Sequence, residues 1–291
     1  MNITITKKIF NILAGIIFIT AFVFGQDQWD DSFFENSEMG AAGPLQIWQP
    51  TLFDVWLSWA TFNFTIYYQS EESVGEIISN IETAYGNIVE DLGYIFYYNP
   101  KRIKIFVYNT PQEYHFKQNI SSWAGGHSNF KNYAIYTYSQ KNIMENVVVH
   151  ELTHLIFDSH MGYPRMLNVD WLHEGLAVYE EKKYSKQKWD ILKLKQMIKN
   201  GQYIPVRKAI KTNTGYESDT KNVALWYLEM GTLVQYLLTL GQDGFKVFCD
   251  KFKIYKNVDE ALKMTYPWDF HSIDDLDAKW KAWLLKQENK M

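Results

Sequence analysis

The sequence is poor in cysteine, since Cys249 is the only one among its 291 residues. A single cysteine excludes an intrachain disulfide, a four-cysteine zinc site and a cysteine-based latency switch. A thiol nucleophile at Cys249 competes with the simpler interpretation that this residue is a buried cysteine in a helix. The chemistry of the chain must therefore be sought in other side chains.

Basic runs and internal repeats are missing as well. The formal net charge is -4, and no sustained run of Lys or Arg interrupts the sequence. Because phosphate backbones are bound by clustered positive charge, this balance makes nucleic acid a poor candidate partner. No low-complexity tract is present, and 47% hydrophobic and 17% aromatic residues supply enough apolar material for a substantial core.

The N-terminus has the layout of a secretory signal. Lys7 and Lys8 precede an apolar run from Ile9 to Phe24, and a polar stretch begins at Gln26. The run is shorter than the roughly 18 residues that suit a membrane-spanning helix, which favours cleavage over an uncleaved anchor. The sequence therefore predicts a signal peptide over residues 1–25 and export to the periplasm or the extracellular space. A membrane contact is expected only if this segment stays uncleaved.

The rest of the chain divides by pattern into three parts. Residues 26–60 mix acidic, Gly/Pro-containing and Trp-rich pieces without periodicity, which predicts a linker or pro-like segment. Residues 61–140 alternate helix patterns with the strands "TFNFTIYYQ", "RIKIFVYN" and "NYAIYTYS", whereas residues 141–291 are mostly helical by spacing. The predicted fold class is α+β, with a small mixed sheet in the first half of a 61–291 domain and helices in the second.

The stretch "VVVHELTHLIFDSH", Val147 to His160, carries three histidines and a glutamate on a segment that otherwise resembles a buried helix. His150 and His154 are four residues apart, so both lie on one helix face and can reach the same metal ion. Glu151 lies about 100° further round the helix, where it can accept a proton from water beside the metal. The alternative is a pair of core histidines bonded to backbone or water.

A catalytic zinc ion usually has three protein ligands, and the sequence offers two candidates for the third. His160 follows His150 by ten residues, as in H-E-x-x-H-x-x-G-x-x-H sites, but Phe157 stands where those sites have glycine. Without that glycine we expect the helix to continue through Asp158 and to carry His160 away from the metal. The other candidate is Glu174 in "WLHEGLAVYEE".

H-E-x-x-H followed about twenty residues later by W-L-x-E-G-x-A resembles the gluzincin zinc metallopeptidases of the peptidase MA clan, including the peptidase MA-like family. The resemblance covers about residues 62–250 and extends more distantly to the aminopeptidase N and thermolysin groups. It implies that His150, His154 and Glu174 bind one zinc ion per chain, and that Glu151 is the general base. It also implies a thermolysin-like fold, with the zinc-binding helix where the two halves meet, and a peptide or protein substrate.

The same resemblance suggests further roles. Related enzymes place a Tyr or His on a downstream helix to stabilise the oxyanion, and Tyr227 is the candidate by position, with a packing tyrosine as the alternative. The strand "NYAIYTYS" resembles the edge strand on which such enzymes bind an extended substrate. His173 points about 100° away from Glu174 and is expected to face solvent or to support a ligand. Asp158 could support His150 or His154, with a surface acid as the alternative.

Part of an aminopeptidase motif also occurs in the sequence. Met144 to Asn146 matches part of the G-x-M-E-N loop that holds a free amine in aminopeptidases, but it directly precedes the His150 helix. Endopeptidase action is therefore favoured over exopeptidase action.

The sequence leaves two functions open. The first hypothesis is an exported zinc metallopeptidase. The alternative is a catalytically silent binding or scaffold protein that keeps the gluzincin fold.

Overall fold

The computed structural model describes residues 56–93, 101–162, 169–212 and 220–287. The predicted signal peptide and most of the predicted linker lie outside the described residues. The described part contains a mixed sheet in the first half of the chain and mainly helices in the second, as the α+β prediction required.

The sheet has five strands in the order β1-β2-β3-β5-β4. The strands β2, β3 and β5 run parallel to one another, while β1 and β4 pair antiparallel at the two edges. Their bounds are β1 Leu57–Ala60, β2 Phe64–Tyr68, β3 Ile103–Tyr108, β4 Gly126–Asn129 and β5 Ala134–Tyr138. The strand β1 therefore includes the last four residues of the segment that the sequence pattern assigned to a linker.

Alternation of side chains along the strands decides which face of the sheet packs against the helices. In β2 the residues Phe64, Ile66 and Tyr68 are buried and those between them are partly exposed, and Ile103 and Ile105 in β3 follow the same rule. The buried face of the sheet is part of one hydrophobic core, to which helices of both halves of the chain also contribute. The other face carries aromatic side chains that are only partly buried.

Two helices connect the parallel strands. Helix α1, Gly75–Asp91, links β2 to β3, and helix α2, Pro111–Gln118, follows β3. The side chain of Thr110 accepts a hydrogen bond from the backbone N–H of Glu113, at 3.2 Å, and Pro111 occupies the first turn. Thr110 therefore caps the N-terminus of α2.

The prediction that "NYAIYTYS" forms the edge strand is wrong. This segment is β5, which pairs with β3 on one side and β4 on the other, so β4 is the edge. The sequence of β4, "GHSN", has no β-branched residue and carries no strand signal. Gly126 is required there, because a Cβ atom would lie 2.3 Å from Cγ1 of Val147 at the start of the histidine-bearing helix.

The second half of the chain is helical. A π-helical turn, Met144–Val148, leads directly into α3. The helices are α3 Val149–Met161, α4 Asp170–Ser185, α5 Ile191–Lys199, α6 Val206–Ala209, α7 Thr220–Thr239, α8 Gln242–Tyr255, α9 Val258–Thr265 and α10 Ile273–Lys286. Helix α3 packs against α4, α1 and β4, so the histidine-bearing helix lies where the two halves meet, as predicted.

Helix α7 lies in the centre of the helical half and packs closely against α4. Its residues Met230, Leu233, Val234 and Leu237 are fully buried. Among the described residues, no single helix has the length and apolar composition to cross a membrane. The helices Val223–Thr239 and Gln242–Tyr255 reach that length and apolar composition only when they are taken together, and the chain bends by 116° between them.

Candidate metal centre

The two histidines of the H-E-x-x-H motif lie on one face of α3. Their ring centroids are 4.7 Å apart and their planes are nearly perpendicular, at 88°. His150 is partly exposed, whereas His154 is buried. The i, i+4 spacing has therefore produced the side-by-side arrangement that the sequence predicted.

Helix α4 brings the third residue to this pair. Trp171 and Leu172 are fully buried and anchor the start of α4 in the core. Gly175 faces α7, because a Cβ atom at this position would lie 2.7 Å from the backbone oxygen of Met230. The glycine after Glu174 thus permits a close approach of α7 to α4. Glu174 itself projects towards α3.

The Glu174 carboxylate lies equally close to both imidazoles. Its Oε2 is 3.5 Å from Nε2 of His150 and 3.5 Å from Nε2 of His154, and one ligand atom from each of the three residues lies within 4.8 Å of the others. These distances exceed the usual 2.7–3.2 Å of a hydrogen bond. They match the separation of about 3.4 Å between ligand atoms around a tetrahedral zinc ion with bonds of about 2.0–2.1 Å. Two imidazoles and one carboxylate therefore fit a zinc ion in both chemistry and spacing.

Electrostatics couple the three groups. Burial by itself raises the pKa of Glu174, but the neighbouring histidines, His154 first, hold it well below its usual value. Burial also lowers the pKa of His150, yet the carboxylates of Glu174 and Glu181 outweigh burial and raise it to about 10. Burial and the nearby His173 lower the pKa of His154 to about 4. A charged carboxylate is thus available between two imidazoles.

Side chains around the three groups fix their orientation. Oε2 of Glu181, also on α4, lies 3.4 Å from Nδ1 of His150, on the ring edge away from Glu174. The ring of His173 stacks on His154 with centroids 3.7 Å apart and planes 6° apart. Nδ1 of His154 is buried and has no hydrogen-bond partner among the described residues, so the contacts of this ring are the stack on His173 and the approach of Nε2 to Glu174.

His173 has one of its two predicted positions, and Asp158 has neither of its own. His173 is only 1% exposed, so the expectation that it faces solvent is wrong, and the alternative that it supports a ligand agrees with the structure. Asp158 was expected to support His150 or His154 or to be a surface acid, but it is only 3% exposed and its Oδ1 lies 3.3 Å from Nε2 of His173. The physical reason is that α4 crosses α3 one turn beyond His154 and inserts His173 there.

His160 lies away from the cluster, as predicted. Helix α3 continues past Phe157 and ends at Met161, because no glycine breaks it earlier. Nε2 of His160 lies 2.7 Å from Oδ1 of Asp250 on α8. The third member of the histidine cluster is therefore Glu174 and not His160.

Glu151 and Tyr227 are the two predicted catalytic residues. Glu151 is partly exposed on α3, next to His150, and its negative charge contributes after burial to the raised pKa of Tyr114. Tyr227 lies on α7, three residues before Met230 and so on the same face that approaches Gly175. Its ring makes an edge contact with Trp226, at 5.3 Å between centroids. The catalytic role of both residues stays a prediction.

The family profile described as the peptidase MA superfamily matches residues 89–286, which is more than half of the chain. The protein belongs to the peptidase MA superfamily. This membership supports the resemblance seen in the two motifs and indicates a peptidase-like hydrolase whose substrates are peptides or proteins. The comparison with curated proteins found no match.

One residue of the site in this peptidase MA superfamily member, Glu181, was not predicted from the sequence. Glu181 lies seven residues after Glu174, which places both on the same face of α4. The spacing was visible in "EGLAVYEE", where the first glutamate of the final pair, Glu180, instead points away and is buried near Asp91. Helical phase thus distinguishes the glutamate that supports His150 from its neighbour.

Proposed function

We propose that the protein is an exported zinc-dependent metallopeptidase that hydrolyses peptide bonds. The observation that carries this proposal is the position of the Glu174 carboxylate, 3.5 Å from Nε2 of both His150 and His154. Three donors of this chemistry, one of them a charged carboxylate in a largely buried site, favour a bound divalent cation. The histidine and glutamate set suits zinc better than the oxygen-seeking ions Mg²⁺ and Ca²⁺.

His150, His154 and Glu174 would hold one zinc ion per chain. Zinc held by such ligands supplies a Lewis acid that polarises the scissile carbonyl and lowers the pKa of water to about 7. Glu151 lies beside the ligands on α3 and would accept the proton of the attacking water, then deliver it to the leaving amine. Tyr227 would donate a hydrogen bond to the negative charge that develops on the carbonyl oxygen.

The sheet provides a place for the substrate chain. Strand β4 is one of the two edges of the described sheet and packs against α3, which carries His150, Glu151 and His154. An extended peptide can add to such an edge through backbone hydrogen bonds and lie beside the histidine cluster. Backbone pairing along an edge strand does not require a free peptide terminus, which favours endopeptidase action.

Cleavage of a peptide library tests the enzymatic part of the proposal. We expect zinc-loaded protein to cleave peptides and a chelator to abolish cleavage. Glu151→Gln should lower the rate by about 10²- to 10⁴-fold while zinc stays bound, because only the proton acceptor is lost. Glu90→Gln, the same change at an exposed position on α1, is the matched control and should leave the rate unchanged. Absence of cleavage across a broad library would favour the binding or scaffold function instead.

Export is tested separately, because it depends on residues 1–25. We expect a fusion of these residues to a reporter to be secreted and cut close to Gln26. Retention of the full-length fusion in the membrane would show that residues 1–25 act as a membrane anchor and that the protein is not secreted.

A further inference from the structure

A row of four stacked rings crosses the outer face of the sheet, from β2 to the edge strand β4. The ring centroids of Tyr67 and Phe106 are 4.8 Å apart, those of Phe106 and Tyr136 are 5.0 Å apart, and those of Tyr136 and His127 are 5.0 Å apart. Adjacent planes differ by only 7–13°. Each pair is directly opposite in the strand register, so the rings repeat at about the spacing of the strands themselves.

His127 is the last ring of this row. One face of its imidazole stacks on Tyr136, and within the described residues no strand pairs with β4 on its other side. The ring is held in place by Tyr114, whose hydroxyl lies 2.9 Å from Nδ1 of His127. Burial lowers the pKa of His127, so the imidazole is neutral at neutral pH and presents a flat, weakly polar face.

The end of the row lies close to the proposed catalytic helix. Gly126, which precedes His127, is in contact with Val147, three residues before His150. Tyr114, which contacts His127, is also near enough to Glu151 for the charge of that carboxylate to raise the pKa of Tyr114 after burial. A peptide that pairs with β4 would therefore pass both His127 and the site.

We propose that His127 selects an aromatic side chain in the substrate, which stacks on the ring face away from Tyr136 and extends the row by one ring. This inference rests on the proposed peptidase function and names a specificity determinant for it. In an antiparallel pair the residue directly opposite lies on the same face, with Cβ atoms about 4.5–5.5 Å away. The side chain opposite His127 thus falls at the distance that already separates the four existing rings.

Stacked aromatic pairs contribute beyond their buried area, which sets the size of the expected preference. A Phe, Tyr or Trp opposite His127 should be favoured over Leu by about 2- to 10-fold. The preference should be confined to one substrate position, because only one residue of an extended peptide lies opposite His127. Residues on either side of that position point to the other face.

Peptide binding tests the inference without a need for cleavage. Fluorescein-labelled alanine-based peptides with a single Phe, moved through the sequence, are compared with the same peptides carrying Leu by fluorescence anisotropy. The protein carries Glu151→Gln, so that bound peptide is not hydrolysed. We expect one position at which the Phe peptide binds about 2- to 10-fold more tightly than its Leu partner.

Variants at the edge strand decide the role of the ring. His127→Ala should abolish the Phe preference, and His127→Phe, which keeps a ring but also loses the contact with Tyr114, should retain it. Ser128→Ala, one residue along β4, should retain it as well. Equal binding of Phe and Leu peptides, or a preference that survives His127→Ala, would overturn the inference. Chelator-sensitive cleavage with no aromatic preference would overturn it while leaving the peptidase proposal intact.

Discussion

Two clusters of buried polar side chains in the helical half differ in how their charges are satisfied. In the α3–α4 cluster, formed by His150, His154 and Glu174, one carboxylate oxygen lies 3.5 Å from two ring nitrogens, longer than a normal hydrogen bond. The α10 cluster centres on Asp277, which has normal donors at normal distances. Both clusters are largely buried, so burial alone does not distinguish them.

Each oxygen of Asp277 in the α10 cluster has a donor. Its Oδ1 accepts a hydrogen bond from the backbone N–H of Val206 at 3.0 Å. Its Oδ2 lies 2.6 Å from Nζ of Lys281 and accepts a hydrogen bond from the Tyr203 hydroxyl at 3.2 Å. This carboxylate starts helix α6 and ties it to α10, which is a structural role.

The difference between the clusters indicates what each one needs. The donors around Asp277 complete its hydrogen bonding within the protein. The α3–α4 cluster instead brings three potential ligand atoms to one point, and a cation that displaced the proton of His150 would bind all three together. Removal of an acid from each cluster should therefore have different consequences, one for metal binding and the other for folding.

The largest effect is expected from Glu174→Ala on metal affinity. Loss of one of three proposed ligands should raise the zinc dissociation constant by more than about 100-fold, beyond the loss caused by a supporting residue. Titration with a competing zinc chelator measures this. His160→Ala is the control and should keep the affinity of the wild type, because His160 binds Asp250 on α8. The reverse result would identify His160 as the ligand.

Asp277→Ala should affect folding and leave zinc binding unchanged. The change leaves the buried N–H of Val206 without its acceptor, and it removes the partner of Lys281. We expect the free energy of unfolding to fall by about 2–3 kcal/mol, measured by urea denaturation. A weakened zinc affinity in folded Asp277→Ala would contradict the separation of the two clusters.

A smaller effect on zinc is expected at Glu181. Glu181→Ala removes the carboxylate that lies 3.4 Å from Nδ1 of His150 and should weaken zinc binding by about 10- to 100-fold. Glu181→Gln keeps an acceptor oxygen and should restore most of the affinity. Equal losses in both variants would show that the charge of Glu181 matters and its hydrogen bonding does not.

A pH-dependent effect concerns Glu229 on α7, close to the α10 cluster. Burial, with a lesser contribution from the charge of Asp277, raises the pKa of Glu229 to about 8, although a hydrogen bond from the N–H of Ile204 opposes the shift. Between the unfolded pKa, about 4.3, and pH 8 the native state binds more protons than the unfolded state, so stability should fall as pH rises.

The slope from Glu229 is at most about 1.4 kcal/mol per pH unit. Glu229→Gln, which keeps an acceptor for Ile204, should reduce the pH dependence of the urea midpoint across this window. An unchanged pH dependence in Glu229→Gln would show that this carboxyl is not the source of the slope.

The sequence predicted the α3–α4 cluster better than it predicted the sheet edge. His150 and His154 follow from helix periodicity alone, and Glu174 followed from a second motif whose helix is anchored by Trp171. Strand β4 could not be predicted, because "GHSN" becomes a strand only through pairing with β5 and through contact with Val147. The role of α7 in packing against Gly175 is likewise a tertiary contact without a local signal.

The position of bound zinc is the most direct test of the central claim, that two imidazoles and the Glu174 carboxylate hold one cation. Crystals of zinc-loaded protein, measured at the zinc absorption edge, should show one anomalous peak at about 2.0–2.2 Å from Nε2 of His150, Nε2 of His154 and a carboxylate oxygen of Glu174. A peak at His160 and Asp250, or no peak between α3 and α4, would contradict the account.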